Sequence, residues 1–221
     1  MEEVRGALPL TMEIAFFTII LALLIAIPLG VITAVRQDTW IDYVLRGLSI
    51  AFLALPVFWV GIVAILVSSI YFDWFPPLKY YELWENPAVN FKKLFLPITV
   101  LALHSATVIA RMMRSAVLEV LRQDYVRTAY AKGLRERLVV SRHVIKNAFL
   151  PVVTVAGLQF AILLSGTNLL EVLFVLPGLG RKLVEAINFK DFPMIQFTVT
   201  LIAFFIMTLN LFIDLTYGYL D

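Results

Sequence analysis

Residues 10–35, LTMEIAFFTIILALLIAIPLGVITAV, form the first of several long apolar runs in a chain of 221 residues. About 20 helical residues, each rising about 1.5 Å, are needed to cross a hydrocarbon core of about 30 Å. A run of this length therefore predicts a membrane-spanning helix. A helix is expected rather than a barrel strand, because barrel strands alternate apolar and polar residues over about ten positions.

Four more runs of this kind follow, so we predict an all-α polytopic membrane protein in which the whole chain, residues 1–221, is a single transmembrane domain. The five predicted spans are residues 10–35, 48–72, 96–117, 150–176 and 196–220. The composition agrees, because 61% of the residues are hydrophobic and 15% are charged. Soluble domains contain roughly 45–50% apolar and 25% charged residues.

The composition also limits the chemistry that the chain can carry. Because it contains no cysteine, disulfides, thiolate metal sites and a cysteine nucleophile are excluded. Its two histidines, His104 and His143, lie too far apart in sequence to predict a multi-histidine metal site. We therefore expect no metal site and no redox chemistry. We also expect no catalytic residue, no cofactor bound by this chain and no nucleic acid among its partners.

Basic residues concentrate in one segment, residues 111–146, which holds nine of the 18 Lys and Arg residues against three acids. The positive-inside bias predicts that this segment is cytoplasmic. The N-terminus and residues 72–95 are then outside, and the C-terminus is cytoplasmic. The outer loop fits this orientation, because it is rich in the aromatic residues that favour the headgroup level: Trp74, Phe75, Tyr80, Tyr81 and Trp84.

The basic loop, about residues 118–149, has a helical pattern of its own. Apolar residues recur at helical intervals from Val117 to Tyr130, and Gly133 is placed to end that helix. A second short helix is expected to carry Leu138 to Ile145, and Pro151 is expected in the first turn of the fourth span. The predicted helix-turn-helix is suited to docking a partner.

The text of this loop resembles a known family. Residues 124–133, DYVRTAYAKG, and residues 142–151, RHVIKNAFLP, resemble the coupling loop of ABC importer permeases of the dipeptide, oligopeptide and nickel branch, which have a MetI-like fold. The general motif begins Glu-Ala-Ala and places Gly four residues after the last Ala. Here Ala129 and Gly133 keep that spacing, whereas Arg127 stands in place of the Glu, a departure common in this branch. Residues 8–61, 171–196 and 209–221 resemble the same branch.

The resemblance implies the passive permease subunit of an ATP-driven importer of dipeptides or oligopeptides, with nickel or another small solute as the alternative cargo. The implied partners are a homologous second permease, two cytoplasmic subunits that use ATP and Mg, an extracytoplasmic solute-binding protein and membrane lipid. The branch usually has one more N-terminal helix, so we expect an upstream helix to be missing here. The implied coupling residues are Tyr125, Arg127, Thr128, Ala129, Ala131, Lys132, Gly133, His143, Asn147 and Pro151.

Within this loop, a small Ala129 on the docking face and a glycine at the turn would let the backbone sit close in a partner's groove.

A polar stripe in the fourth predicted span supplies the candidates for a translocation pathway or gate: Ser165, Thr167, Asn168, Glu171, Pro177, Gly178 and Gly180. A carboxylate facing lipid at mid-membrane costs about 2.5–3.5 kcal/mol, so Glu171 is expected to face protein or water. Two alternatives stay open, an interfacial acid that reaches the headgroups and a pathway or gate residue. A short helix over 182–188 is expected to help form an outer gate or contact a binding protein. Asp214 is expected to pair with Arg111 or Arg114.

Two other classes of membrane protein are less well matched. A membrane-embedded enzyme needs a nucleophile and base or a carboxylate pair at membrane depth, and Glu171 and Asp214 are predicted near opposite faces. An ion-coupled secondary transporter usually pairs broken helices with charged residues inside the membrane. Two predicted spans contain a proline, Pro28 and Pro56, but no matching ionisable residues accompany them.

Overall fold

The computed structural model describes residues 2–220, and within them the side chains of residues 6–165, 167–213 and 215. The described backbone is helical, with no strand, which confirms the predicted all-α class. The helices are α1 (Glu2–Val35), α2 (Trp40–Ala54), α3 (Val57–Phe72), α4 (Pro87–Leu121), α5 (Asp124–Ala131), α6 (Glu136–Val139), α7 (Ile145–Gly166), α8 (Asn168–Leu173), α9 (Leu179–Asn188) and α10 (Phe192–Leu220). A π-helical turn over Val140–Val144 joins α6 to α7.

The described residues contain four stretches that are long and apolar enough to cross a membrane, or five if one bent helix pair is counted as a single span. The four stretches are Gly6–Val35, Pro87–Leu121, Glu136–Ser165 and Phe192–Ile213. The first, third and fifth predicted spans are thereby confirmed. Helices α1, α4 and α10 start before the predicted residues because helical structure continues through their polar ends.

The second predicted span, residues 48–72, is not one helix. Helices α2 and α3 meet at an angle of 103°. Pro56, at the break, has an extended backbone (φ −60°, ψ 133°). Proline has no N–H to donate and its ring clashes with the preceding turn, so the helix ends before it and a new one starts after it. Helix α2 also starts at Trp40, before the predicted start of this span at residue 48.

The fourth predicted span, residues 150–176, is displaced in the structure. Its helix begins at Glu136 and runs through the π-helical turn to Gly166. The predicted short helix near Leu138 is therefore the start of this span, and Pro151 lies well inside α7 rather than in a first turn. Beyond Gly166 the chain forms the separate short helix α8, so Glu171 does not belong to the spanning helix.

The connecting segments also differ in detail from their predictions. The helix predicted from Val117 to Tyr130 is two helices, because residues 122–123 form a turn between α4 and α5. The predicted end at Gly133 is confirmed, since α5 stops at Ala131 and Gly133 takes a left-handed conformation with φ 79°. The helix predicted over 182–188 is present as α9, which starts three residues earlier, at Leu179.

The chain divides into two compact units. The first comprises Met1–Ile20, Leu55–Ala102 and Leu158–Asp221, and the second comprises Leu21–Ala54 and Leu103–Gly157. Within the first, an apolar cluster of Ala7, Leu179 and Ile202 joins α1, α9 and α10. Within the second, α1 packs closely on α4 at Gly30.

The loop between α3 and α4, in the first unit, is held by side chains from two helices. The hydroxyl of Tyr80 donates to the carboxylate of Glu13 at 3.0 Å, and the Asn90 amide donates to the carbonyl of Tyr81 at 3.0 Å. Burial and the Glu13 carboxylate raise the pKa of the Tyr80 hydroxyl, which therefore stays a protonated donor. These bonds hold the aromatic loop against α1 and α4.

A buried ion pair ties α2 to α4 in the second unit. Asp42 lies in the first turn of α2 with its side chain fully buried. Its carboxylate accepts hydrogen bonds from Nε and Nη2 of Arg114 at 3.3 and 3.0 Å, and from the backbone N–H of Asp38 at 3.1 Å. The sequence prediction paired Arg114 or Arg111 with Asp214, whose side chain lies outside the described residues. Arg114 is instead bound by Asp42, which the sequence reading did not single out.

The contact at Gly30 generates a stability prediction. A Cβ at this position would lie 2.6 Å from Cβ of Met113 and 2.8 Å from the carbonyl oxygen of Ala110. Gly30→Ala should therefore lower the free energy of unfolding by about 1–3 kcal/mol, because α1 and α4 must separate to admit the methyl group. Thermal unfolding of the detergent-purified protein measures the loss.

The matched control is Gly47→Ala in α2, where an added Cβ meets nothing within 4 Å. Alanine there should leave stability unchanged or raise it slightly, since alanine is the better helix former. Equal melting temperatures for the two variants would contradict the close packing of α1 on α4.

Candidate functional site

The predicted coupling loop forms a surface segment, residues 124–147, which we call the coupling segment. Helix α5 starts after Gln123, whose backbone is extended (φ −73°, ψ 146°). The Thr128 hydroxyl donates to the Asp124 carbonyl at 2.9 Å, which adds a bond within the helix. At the other end, the left-handed Gly133 lets its own N–H reach the Tyr130 carbonyl at 2.9 Å and reverses the chain.

Helix α5 has one buried and one exposed face. Val126 is fully buried and Ala129 is 8% exposed. The expectation that Ala129 lies on the docking face is therefore wrong, since it faces the protein's own interior. The sequence-predicted residues on the exposed surface are Tyr125, Arg127, Thr128, Ala131, Lys132 and Gly133.

One side chain bridges the two ends of the coupling segment. Nδ2 of Asn147 donates to the hydroxyl of Tyr125 at 2.9 Å and to the carbonyl of His143 at 2.8 Å. Three of the predicted coupling residues, 22 positions apart at the extremes, thus lie together. Pro151 lies one helical turn beyond Asn147 and is partly buried.

A groove of about 450 Å³ lies beside the turn at Gly133. Its lining combines apolar, basic and polar side chains: Leu134, Arg135, Arg137, Leu138 and Ser141. A Cβ at Gly133 would meet nothing within 4 Å, so the glycine is required by its backbone angle and not by crowding within this chain. The coupling segment therefore presents an open, basic surface around a glycine turn.

The candidate gate residues lie around the buried acid Glu171, whose side chain is fully buried. Oε1 accepts hydrogen bonds from the hydroxyls of Thr11 and Thr167, each at 2.9 Å. Oε2 accepts the backbone N–H of Arg181 at 3.0 Å. Thr11 in turn accepts the backbone N–H of Leu179 at 2.9 Å. We call Thr11, Thr167, Glu171 and the first turn of α9 the gate cluster.

The gate cluster caps the start of α9. The first N–H groups of a helix have no partner within the helix and are usually bound by the side chain before it. The residue before α9 is Gly178, which has no such side chain. Glu171 and Thr11 replace it, and the negative charge of the carboxylate also suits the positive end of the helix dipole.

Two glycines allow the close approach of α9 to α8. A Cβ on Gly178 would lie 2.4 Å from the carboxyl carbon of Glu171. A Cβ on Gly180 would lie 2.1 Å from Oδ1 of Asn168 and 2.6 Å from its Cα. Larger residues at either position would push α9 away from the acid that caps it.

The structure separates the predicted pathway candidates by burial. Thr167, Glu171, Gly178 and Gly180 are buried, Asn168 is half-buried, and Ser165 and Pro177 are exposed. The alternative of an interfacial acid reaching the headgroups is wrong for Glu171, because its carboxylate is fully enclosed and bonded. Sequence reasoning missed Thr11, which lies 160 positions away and is an ordinary hydroxyl in an apolar run.

The exposed side of α9 carries a small ion-pair cluster. Nε of Arg181 lies 2.9 Å from Oε1 of Glu185, and Nζ of Lys182 lies 3.5 Å from Oε2. The hydrogen bond from Arg181 lowers the pKa of Glu185, so this carboxylate stays charged. Arg181 therefore contributes its backbone to the buried gate cluster and its side chain to the surface.

Comparison with known proteins decides the family. The profile of the family described as binding-protein-dependent transport system inner membrane component matches residues 26–221. The chain belongs to this family. A dipeptide transport system permease protein of Haemophilus influenzae is 39% identical in an alignment 235 positions long, which covers 95% of this permease and 69% of the relative. One from Alkalihalophilus pseudofirmus is 35% identical in an alignment 245 positions long, which covers 100% of this permease and 72% of the relative.

Solved structures agree on the fold of the permease. An inward-facing MetNI methionine ABC transporter chain superposes with a TM-score of 0.83 at 15% identity, covering 100% of the permease and 97% of that chain. A chain of an amino acid ABC transporter gives a TM-score of 0.71 at 14% identity, covering 97% and 92%. The MetI-like fold is thus shown, and the permease is a multi-pass membrane component of a transport system.

The gate cluster generates a second stability prediction. In Glu171→Gln, an NH₂ group replaces one carboxylate oxygen and faces donors, so at least one buried N–H or O–H loses its acceptor. The free energy of unfolding should fall by about 1–3 kcal/mol. Thermal unfolding in detergent, with amide hydrogen exchange of α9 as the local probe, measures the effect.

Glu185→Gln is the control, because it removes the same charge from the exposed side of α9. It should change stability by no more than about 0.5 kcal/mol, as surface substitutions usually do. Similar losses for both variants, or unchanged exchange of α9 in Glu171→Gln, would contradict the capping role.

Proposed function

We propose that this permease is the translocation subunit of an ATP-driven importer of dipeptides or short oligopeptides. The cargo is supported by the relatives of 35–39% identity, which are named dipeptide transport permeases. No catalytic group is assigned to this chain. ATP and Mg are used by two separate cytoplasmic ATPase subunits, and a solute-binding protein delivers the peptide from outside.

The observation that carries the coupling role is the exposed, basic turn of the coupling segment. Its exposed residues include Arg127, Lys132 and Gly133. They lie beside a groove whose lining includes Arg135 and Arg137. The concentration of nine basic residues in positions 111–146 supports a cytoplasmic location for this surface, with the N-terminus outside and the C-terminus inside. The ATPase subunits dock here.

Movement of the docked ATPases passes to the membrane through continuous helix. Glu136, next to the turn, begins the same helical stretch that runs to Ser165. The hydrogen bond between Asn147 and Tyr125 holds α5 to that stretch. A shift of α5 on ATP binding therefore moves the spanning helix as a rigid body.

The gate cluster serves the outer end of the pathway. Because Glu171 and Thr11 hold the first turn of α9, this short helix keeps a defined position as a gate element or a contact for the binding protein. Ser165 and Pro177 are exposed and form the candidate pathway surface beside it. A homologous second permease completes the pathway. The need for such a partner is supported by α10, because only 6% of its most apolar 18-residue stretch is buried within this chain.

Substitution of Gly133 tests the coupling role. Gly133→Val forces a β-branched residue into a left-handed backbone and adds bulk to the docking surface, so ATP-driven peptide uptake should fall by about tenfold or more. Gly133→Asn is the matched variant, since asparagine tolerates this conformation. Reconstituted uptake and ATPase co-purification are measured together. Full uptake and assembly by the valine variant would sink the assignment.

A competition between cargoes tests the substrate class. Proteoliposomes containing the complete transporter and its binding protein should accumulate a labelled dipeptide in an ATP-dependent manner and should not accumulate labelled nickel. Nickel uptake without dipeptide uptake would reassign the cargo while leaving the coupling mechanism in place.

A further inference from the structure

A pocket of about 350 Å³ lies in the second unit among α1, α2 and α4, and no role has been given to it so far. Its polar and basic lining includes Arg46, Arg111, Arg114 and Ser115. Apolar side chains also line it: Leu29, Ile50 and Ala110. We call it the arginine pocket.

The charges in the arginine pocket are not balanced. Three guanidinium groups line it, and the acid next to them is Asp42, which lies 3.0 Å from Arg114 and 3.6 Å from Arg46. Arg111 has neither an ion pair nor a hydrogen bond within the described part of the chain. Three positive charges against one negative charge leave an excess of two on the wall of the pocket.

The pattern of groups matches a particular ligand chemistry. Guanidinium groups bind phosphate oxygens in a bidentate manner, and serine hydroxyls add further donors. Arg114 is already held in place by two hydrogen bonds to Asp42, so one side of the pocket is rigid before a ligand arrives. Arg111 and Ser115, one helical turn apart on α4, remain available.

We propose that the arginine pocket binds a phosphate-bearing anion, and that this anion is the headgroup of an anionic membrane phospholipid. The apolar lining residues Leu29 and Ile50 give a place for the glycerol and upper acyl chain, which an inorganic phosphate lacks. Basic pockets between membrane helices near the cytoplasmic surface bind anionic headgroups in this way. The site is independent of the cargo and of the coupling segment.

The surroundings of the pocket favour lipid over free phosphate. At the start of α2, Trp40 is 74% exposed and Tyr43 is 55% exposed, as expected for aromatic rings at the headgroup level. Arg46 stacks on the Tyr43 ring at 5.3 Å from its centre. Further along α2, Leu48 and Ile50 are exposed apolar residues that suit contact with acyl chains.

Lipid retention by the complete purified transporter tests the proposal. The complex is equilibrated with detergent micelles containing equal phosphatidylglycerol and phosphatidylcholine, washed, and analysed by native mass spectrometry. The unmodified complex should retain phosphatidylglycerol preferentially. Arg111→Ala should lower that retention by about fivefold, the effect expected of one arginine near an anionic lipid.

Two variants control for charge and for folding. Arg36→Ala removes the same charge from the exposed turn before α2 and should retain phosphatidylglycerol as the unmodified complex does. Arg111→Lys keeps the charge but loses the bidentate geometry, so it should retain more phosphatidylglycerol than Arg111→Ala and less than the unmodified complex. Equal retention by the alanine, lysine and unmodified forms would overturn the proposal.

A separate arm distinguishes the source of the phosphate group. Thermal unfolding is recorded with phosphatidylglycerol and, separately, with inorganic phosphate at matched ionic strength. A rise in melting temperature with the lipid alone, lost in Arg111→Ala, supports the headgroup site. A rise with inorganic phosphate and no preferential lipid retention would overturn the assignment to lipid.

Discussion

The rest of this structure depends on one constraint. Where a helix starts or is interrupted out of reach of water, its backbone N–H groups need an acceptor. A continuous spanning helix satisfies its own groups, but this chain interrupts its helices around Thr39, Pro56 and Thr167. The released donors must find acceptors within the protein. The arrangement of polar side chains in both units follows from that need.

Two fully buried acids meet it in the same way. Asp42 accepts the N–H of Asp38 ahead of α2, and Glu171 accepts the N–H of Arg181 in the first turn of α9. Each acid also binds a side chain of a distant helix, Arg114 for Asp42 and Thr11 for Glu171. A buried charge is costly unless its environment compensates it. Asp42 is paired with Arg114, and both carboxylate oxygens of Glu171 accept hydrogen bonds. Each acid therefore holds the chain at a helix break in a fixed position against a distant helix.

Such fixed contacts suit a transport subunit, because a short helix then moves together with the helices that it contacts. The gate cluster holds α9 to α8 and α1, and the glycines at 178 and 180 allow the close contact. Within the coupling segment, the hydrogen bond between Tyr125 and Asn147 holds α5 to α7. The permease therefore has a defined element at each of the two surfaces where its proposed partners bind.

The features of the structure that the sequence predicts are those that depend on neighbouring residues. The apolar lengths of α1, α4 and α10 and the glycine turn at Gly133 depend on neighbouring residues, and they are confirmed. The bend at Pro56 was not predicted, because proline can kink a helix as well as end it. The partner of Glu171 and the inward face of Ala129 depend on residues packed from elsewhere in the chain, which periodicity does not identify.

Cross-linking tests most directly whether the glycine turn of the coupling segment touches an ATPase subunit, as we propose. Because the chain contains no cysteine, one engineered thiol reports one position. Lys132→Cys at this turn and Phe75→Cys in the loop between α3 and α4, both exposed, are compared by thiol cross-linking in the assembled complex. We expect a cross-link to the ATPase subunit from position 132 and none from position 75. The opposite pattern would contradict both the orientation and the coupling role.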